Sequence, residues 1–282
     1  MRPEINNAGE PKSQAELIFA ANQRKERQFR TGVGISWGIL LLFLVFLFSG
    51  QELSLGDQTF STIRLDTEFI QKNIGFIGGG ILETLKISFF SILFAIILAL
   101  LAALGRLSRI PPVYALSTFY VSLIRGTPLF LQIIFFFLAL PQLGIVLTGL
   151  SAGIIALGLN YGAYMSETFR AGISSVGRGQ HEAAIALGMS QGQLMRRIVL
   201  PQALRFAIPP MSNDFISMTK DSALVSVTGF VHEIMWNARK VGQANFRNLE
   251  ALIMAAIFYW IMTLLLTFVQ NQVETRLARG DR

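Results

Sequence analysis

An all-α integral membrane fold with about six transmembrane helices follows from three features of the sequence. The chain is 52% hydrophobic and only 15% charged, whereas soluble chains carry about a quarter charged residues. Its charge-free apolar stretches reach the ~20 residues that a helix needs to cross the hydrocarbon core. Its basic residues gather in alternate connecting segments, as they do in cytoplasmic loops. The 282 residues include no cysteine and only two histidines, His181 and His232. Disulfides and thiolate metal sites are therefore excluded, and a histidine-rich metal site is not supported. A net charge of +7 would suggest nucleic acid for a soluble protein. In a membrane chain the positions of the charges carry the meaning.

Residues 1–30 are polar apart from an apolar patch at 17–21, and are expected to form a cytoplasmic tail that is partly disordered or a surface helix. Residues 31–51 hold no charge and form the first span, with Trp37 near its start. The long basic tail before it, and the lack of an Ala-x-Ala pattern after Ser49, favour an uncleaved anchor over a signal peptide. Residues 52–77 are expected to be an extracytoplasmic loop. The next span begins near Ile81 and runs to 105. The stretch 126–166 has no charge and is too long for one helix. Pro141, Gly144 and Gly149 punctuate it, which predicts spans over 112–140 and 148–172 joined by a short turn. Residues 206–231 are mostly apolar but contain Pro209, Pro210, Asp214, Lys220 and Asp221. They read as a broken span facing the protein interior, where intramembrane charge is tolerated. The last span is 251–273, with Trp260 in its middle, and 274–282 is a cytoplasmic tail. No repeat of 20–50 residues is present.

Orientation follows from lysine and arginine. With both termini in the cytoplasm, the tail residues Arg2, Lys12, Arg24, Lys25, Arg27 and Arg30 lie inside. So do Arg106, Arg109, Arg170, Arg178, Arg196, Arg197, Arg205, Arg276, Arg279 and Arg282. Arg239, Lys240 and Arg247 fall outside, a mild exception to the rule.

The longest cytoplasmic loop, 173–205, is not a polar linker. Residues 181–187 are good helix formers, and Gly188 is suited to a left-handed cap. Ser190 with Gln193 has the spacing of a capping box that starts a second helix. Leu194 and Ile198 share a face of that helix, and Pro201 is expected to limit it. Two short amphipathic helices around a tight turn suit docking into a groove on another protein or lying on lipid. The residue pattern decides between them. Glu182-Ala183-Ala184, then Gly188, then Ile198-Val199-Leu200-Pro201 resembles the EAA loop of permease subunits in bacterial ABC importers. Leu82-Glu83-Thr84-Leu85, Leu123-Ile124-Arg125-Gly126-Thr127-Pro128-Leu129, the run from Asn160-Tyr161-Gly162 to Glu167, and Lys220-Asp221-Ser222-Ala223-Leu224 are similar to segments of the polar amino acid uptake subfamily. The likeness covers 78–273 and leaves 1–51 outside it.

The resemblance implies a five-helix type I importer core with one extra N-terminal helix, in the bacterial inner membrane. It implies a second permease copy or a related permease, separate ATPase subunits that bind ATP and magnesium, and an extracytoplasmic substrate-binding protein. It assigns ATPase coupling to Glu182, Ala183, Ala184, Gly188, Ile198, Leu200 and Pro201. The chain itself has no phosphate loop, since Gly78-Gly79-Gly80 lacks the lysine and does not follow a strand. No cofactor and no nucleic acid partner are expected, and the chain is expected to be a transporter subunit rather than an enzyme.

Intramembrane polar groups mark candidate contacts for an amino acid substrate. Asn160 and Tyr164 lie four apart on one helix face, Glu167 is a further step along it, and Lys220 and Asp221 sit in the broken span. Together they offer acceptors for an ammonium group and a donor for a carboxylate. Each also has a structural reading: Asn160 as interhelical glue, Glu167 as an ion-pair partner of Arg170, Lys220 and Asp221 as contacts between helices or subunits. Arg125, near Pro128, is expected to fix a helix bend. A stand-alone ion-coupled transporter would use intramembrane acids for protons or cations, but leaves the docking loop without a role. A membrane enzyme would need a convergent acid, base and nucleophile, and none is present.

Overall fold

A computed structural model describes residues 14–55 and 58–278 of the chain. It divides into two compact units, Met1–Asp66 and Thr67–Arg282. Arg2, Lys12, Arg279 and Arg282, used above for orientation, lie outside the described residues.

The first unit is built on one long helix, α1 (Gln14–Leu47). The described part of the polar tail is therefore helical and continuous with the span, rather than a separate segment. Its lysine, arginine, glutamate and glutamine residues are strong helix formers, and Glu26 pairs with Arg30 one turn on at 2.8 Å. Asn22–Leu47 is long and apolar enough to cross a bilayer, with none of its most apolar stretch buried. Gly50 turns the chain at φ 68°. The segment expected as a plain loop then carries an antiparallel hairpin of β1 (Glu52–Leu55) and β2 (Gln58–Ser61), with Glu52 opposite Ser61. The Thr62 hydroxyl closes its base by accepting from Gln51 N at 2.6 Å.

The second unit is helical. Its elements are α2 (Thr67–Gly78), α3 (Ile81–Leu107), α4 (Pro111–Arg125), α5 (Leu129–Ile134), α6 (Gly149–Ser175), α7 (Arg178–Ala186), α8 (Gln191–Leu194), α9 (Leu200–Asp221), α10 (Ile234–Ala244) and α11 (Asn248–Ala278). Helices occupy all six positions where spans were expected. Among the described residues three stretches are long and apolar enough to cross a membrane: that in α1, Thr67–Leu107 and Asn248–Arg276. A fourth candidate is the pair Pro111–Arg125 and Leu129–Leu143, bent by 105°. Helices α6 and α9 are long enough, but carry polar residues in place of a fully apolar surface.

The bend falls where one was expected, beside Arg125 and Pro128, and divides the span expected over 112–140 into two helices. Pro128 has no N–H to continue the ladder and biases Thr127 away from helical geometry. The Gln132 side chain repairs the break. Its Nε2 donates to Ile124 O at 2.9 Å and lies 2.9 Å from Thr127 Oγ1. Beyond α5 the helix loosens into a π turn over Phe135–Ala139 and a 3-10 turn over Leu140–Leu143, ending at Gly144 with φ 79°.

The broken span behaves differently from its proline content. Pro209 and Pro210 lie inside α9 without ending it. The break comes at Ser222, where a 3-10 segment runs to Thr228 and stops at Gly229. Pro201 does not limit the second loop helix either. A π turn over Met195–Val199 leads directly into α9, with Pro201 in its first turn. There a missing N–H and a fixed φ are tolerated.

The main core lies between α3, α6 and α9, around Ile87, Ala95, Ala99, Leu157, Met165, Phe169, Ala207 and Met218. Small residues let α3 and α6 approach closely, as in membrane helix pairs generally. A Cβ placed on Gly162 would lie 2.9 Å from Tyr120 Oη, 3.0 Å from Leu98 Cβ and 3.2 Å from Ala95 O. The same Tyr120 donates to Leu159 O at 2.7 Å, which ties α4 to α6. A second core joins α2, α10 and α11 around Ile77, Ile234, Ala251 and Met254. There Glu233 caps α10, accepting from Met235 N at 2.9 Å and Trp236 N at 2.6 Å, and from the Tyr259 hydroxyl at 2.5 Å.

Gly162→Val is expected to destabilise the purified protein by about 1–3 kcal/mol through overpacking, read as a fall in thermal midpoint in detergent. Gly75→Ala, where an added Cβ meets nothing within 4 Å, is expected to leave that midpoint unchanged or slightly raised.

Candidate functional site

Several polar residues of the second unit line a cavity of about 560 Å³. Helix α6 supplies Asn160, Tyr161 and Tyr164, α9 supplies Asp214, Ser217 and Asp221, and the α4–α5 break supplies Arg125 to Leu129. On α9 the spacing 214, 217, 221 is that of one helix face. The α4–α5 break matters because the residues across it, Arg125 to Leu129, form one wall of the cavity.

Of the five residues expected along the path, Asn160, Tyr164 and Asp221 line this cavity. Asn160 is buried and donates from Nδ2 to Gln132 Oε1 at 3.2 Å, so the cavity lining is joined to the group that repairs the break. Asp221 accepts from the Tyr161 hydroxyl at 2.7 Å. Tyr164 is exposed, with the Arg125 guanidinium 5.0 Å from its ring centre. Lys220 is exposed and does not line the cavity. Neighbouring residues on a helix point about 100° apart, so Lys220 and Asp221 do not share one wall.

Glu167 lies one turn beyond Tyr164 and lines an adjoining smaller cavity of about 370 Å³ with Arg106, Arg125 and Tyr164. It is bound by Arg106, by Arg170 Nε at 2.9 Å, and more loosely by Arg125 at 3.5 Å. The expected Glu167–Arg170 pair is present, enlarged by two arginines from α3 and α4.

The loop 173–205 folds as two short helices around Gly188. Gly188 N donates to Ile185 O at 2.9 Å and Met189 N to Ala184 O at 3.1 Å, a Schellman pair closed by Gly188 at φ 76°. Ser190 and Gln193 form a reciprocal capping box. Ala184, Leu194 and Val199 are buried with Ile173 and Val176 at the end of α6 and Ala203 of α9, and Ile198 packs against them. Glu182, Ala183, Gly188 and Pro201 face outward, while Leu200 is half-buried. The motif residues thus divide into those that hold the loop together and those that it displays.

Several residues in these places were not singled out from sequence. Ile185 is 54% and Leu187 82% exposed, an apolar display beside Gly188 that helical phase alone would have revealed. Tyr161 and Ser217 join the cavity from α6 and α9, and Gln132 reaches its lining through Asn160; these depend on contacts between elements distant in the chain. Asp214 was noted as a charge within the span, but its periodicity with Asp221 was not used.

The description of the family model matching residues 92–279 is binding-protein-dependent transport system inner membrane component. The arginine transport system permease protein ArtQ of Bacillus subtilis (strain 168) is 39% identical over 220 residues, covering 78% of this chain and all of that protein. The L-cystine transport system permease protein TcyB of the same organism is 42% identical over 204 residues, 72% of this chain and 87% of the relative. Among solved structures, an amino acid ABC transporter crystallised with histidines matches with a TM-score of 0.70 at 35% identity, over 76% of this chain and 99% of its own. The inward-facing MetNI methionine ABC transporter shares the fold, with a TM-score of 0.61 at 18% identity, over 76% of this chain and 99% of its own.

Glu167→Gln is expected to destabilise the protein by roughly 1–3 kcal/mol, less than for a fully buried pair because the cluster is partly exposed. Adding Arg106→Gln should restore part of the loss, so that the double variant melts above the additive expectation in a detergent thermal scan.

Proposed function

The chain belongs to the family of binding-protein-dependent transport system inner membrane components, and we propose that it carries an amino acid across the bacterial inner membrane as the permease subunit of an ATP-driven importer. The observation that carries this reading is the loop around Gly188, which displays Ile185 and Leu187 to solvent while its inner face is packed onto α6 and α9. A partner that grips the displayed face moves both helices, and both line the main cavity. ATP and magnesium belong to the partner ATPase. A second permease, identical or related, completes the path, and a soluble binding protein delivers the substrate from outside. Both termini lie in the cytoplasm, on the side of the loop.

The coupling is mechanical. ATP binding draws two ATPases together, and each loop follows as a rigid body because its own small core ties it to the helix ends. Rocking of α6 and α9 then opens the cavity alternately to the two sides. Within it, Asp221 offers an acceptor for the substrate ammonium group, and Asn160 and Tyr164 offer polar walls. Glu182 and Ala183 join the apolar pair in the contact with the ATPase. Ala184, Ile198, Leu200 and Pro201 set the loop's shape.

The relatives named for arginine and cystine transport support an amino acid as cargo, and the full match of ArtQ to part of this chain supports a transport core to which further residues have been added.

Purification of the tagged chain from its native membrane in mild detergent should co-isolate a Walker-type ATPase in stoichiometric amount. Uptake by the purified chain alone in liposomes, without ATP, would overturn the proposal. Gly188→Val should abolish substrate-stimulated ATP hydrolysis while leaving membrane insertion intact, because a β-branched residue resists positive φ. Gly188→Asn, which tolerates that conformation, should retain most of the stimulation, and equal loss in both variants would point to contact rather than backbone geometry.

A further inference from the structure

Three guanidinium groups share one partly exposed carboxylate in the second unit. Arg106, Arg170 and Arg125 all reach Glu167, and their side chains are 21%, 40% and 42% exposed. Two further carboxylates, Asp214 and Asp221, line the main cavity with Arg125. Asp221 is engaged by the Tyr161 hydroxyl, and neither it nor Asp214 forms an ion pair with Arg125 among the described residues. The cluster around Glu167 thus holds more guanidinium donors than carboxylate acceptors, which leaves its most loosely held member able to take an anion.

The three arginines are not equivalent. Arg106 lines only the smaller cavity, and Arg170 lines neither. Arg125 lines both, and with Gly126 and Tyr164 it forms the boundary between them. It is also the most loosely held, at 3.5 Å from Glu167, with its guanidinium over the Tyr164 ring. It ends α4 directly before the 105° bend, so its side chain is not locked between two helical turns. A planar guanidinium with free donors suits bidentate capture of a carboxylate.

We propose that Arg125 is the residue that recognises the α-carboxylate of the transported amino acid, exchanging its loose contact with Glu167 for that carboxylate as the substrate passes between the two cavities. The proposal rests on the reading of the main cavity as the substrate path. The exchange leaves Glu167 paired, because Arg106 and Arg170 remain on it. It makes a free α-carboxylate a requirement of the permease itself, separate from any selection by the binding protein.

The chain has no cysteine, so Ser122→Cys, in the wall of the smaller cavity, gives a single labelling site on it. The whole permease–ATPase assembly, in nanodiscs without binding protein, is labelled with a methanethiosulfonate reagent and read by the mass of this chain. The competitor is a mixture of L-arginine, L-histidine, L-glutamine and L-glutamate, or of their α-carboxamides. The amino acids should protect at concentrations at least about tenfold lower than the amides, since a charge-assisted hydrogen bond contributes about 1.5–3 kcal/mol. Arg125→Gln should reduce that difference to about twofold or less, and Arg125→Lys should keep part of it. Equal protection by acids and amides, or discrimination that survives Arg125→Gln, would overturn the assignment and leave the cavity reading standing. No protection by any of the amino acids would bring down the cavity reading and the assignment together.

Discussion

Hydrocarbon offers no hydrogen bonds, so each charge and each break in a helix within the membrane must be answered by another group of the protein. This constraint organises the second unit. The α4–α5 break is answered by Gln132, whose amide reaches the carbonyl of Ile124 and the hydroxyl of Thr127. Gln132 in turn accepts from Asn160 on α6. Asp221 is answered by Tyr161, and Glu167 by three arginines from three helices. Because these answers come from different helices, the polar groups also hold the helices in register around a cavity.

The packing beside them is of a different kind. Helices α3 and α6 meet through alanine and glycine, and the contact around Gly162 leaves no room for a side chain. Such a contact is rigid, since interiors are close-packed and do not deform gradually. Helices α6 and α9 also share a core with the Gly188 loop. In the proposed function this shared core is the route by which a force applied at the loop reaches the cavity lining. Under the two proposals, the packed loop transmits movement and the loose pairing at Arg125 allows a polar group to change partners.

Much of this was legible in the linear pattern. Helix positions followed from charge-free stretches, and the turn at Gly188 followed from a glycine placed before Ser190 and Gln193, which signal a helix start. These are local effects, settled by residues within a few positions of one another. The bend beside Arg125 and Pro128 was visible from the proline, but its 105° angle was not. Pro201, Pro209 and Pro210 read as helix breakers and are not, because a π turn precedes the first and the helix absorbs the other two. For residues 14–30 polarity left open disorder or a surface helix, and they are helical because they are good helix formers continuous with the span.

The sequence by itself determined the membrane character, the order of the helices and the two-helix loop, since these depend on hydrophobic length, cap residues and spacing along one chain. It also marked Asn160, Tyr164, Glu167, Lys220 and Asp221 as polar groups in apolar surroundings. Only the tertiary structure decided which of them face one another. It separated Lys220 from Asp221, joined Asp221 to Tyr161, and gathered Arg106, Arg125 and Arg170 around Glu167. Those choices depend on helix rotation and on the direction taken after the α4–α5 break, which are set by packing between elements distant in the chain.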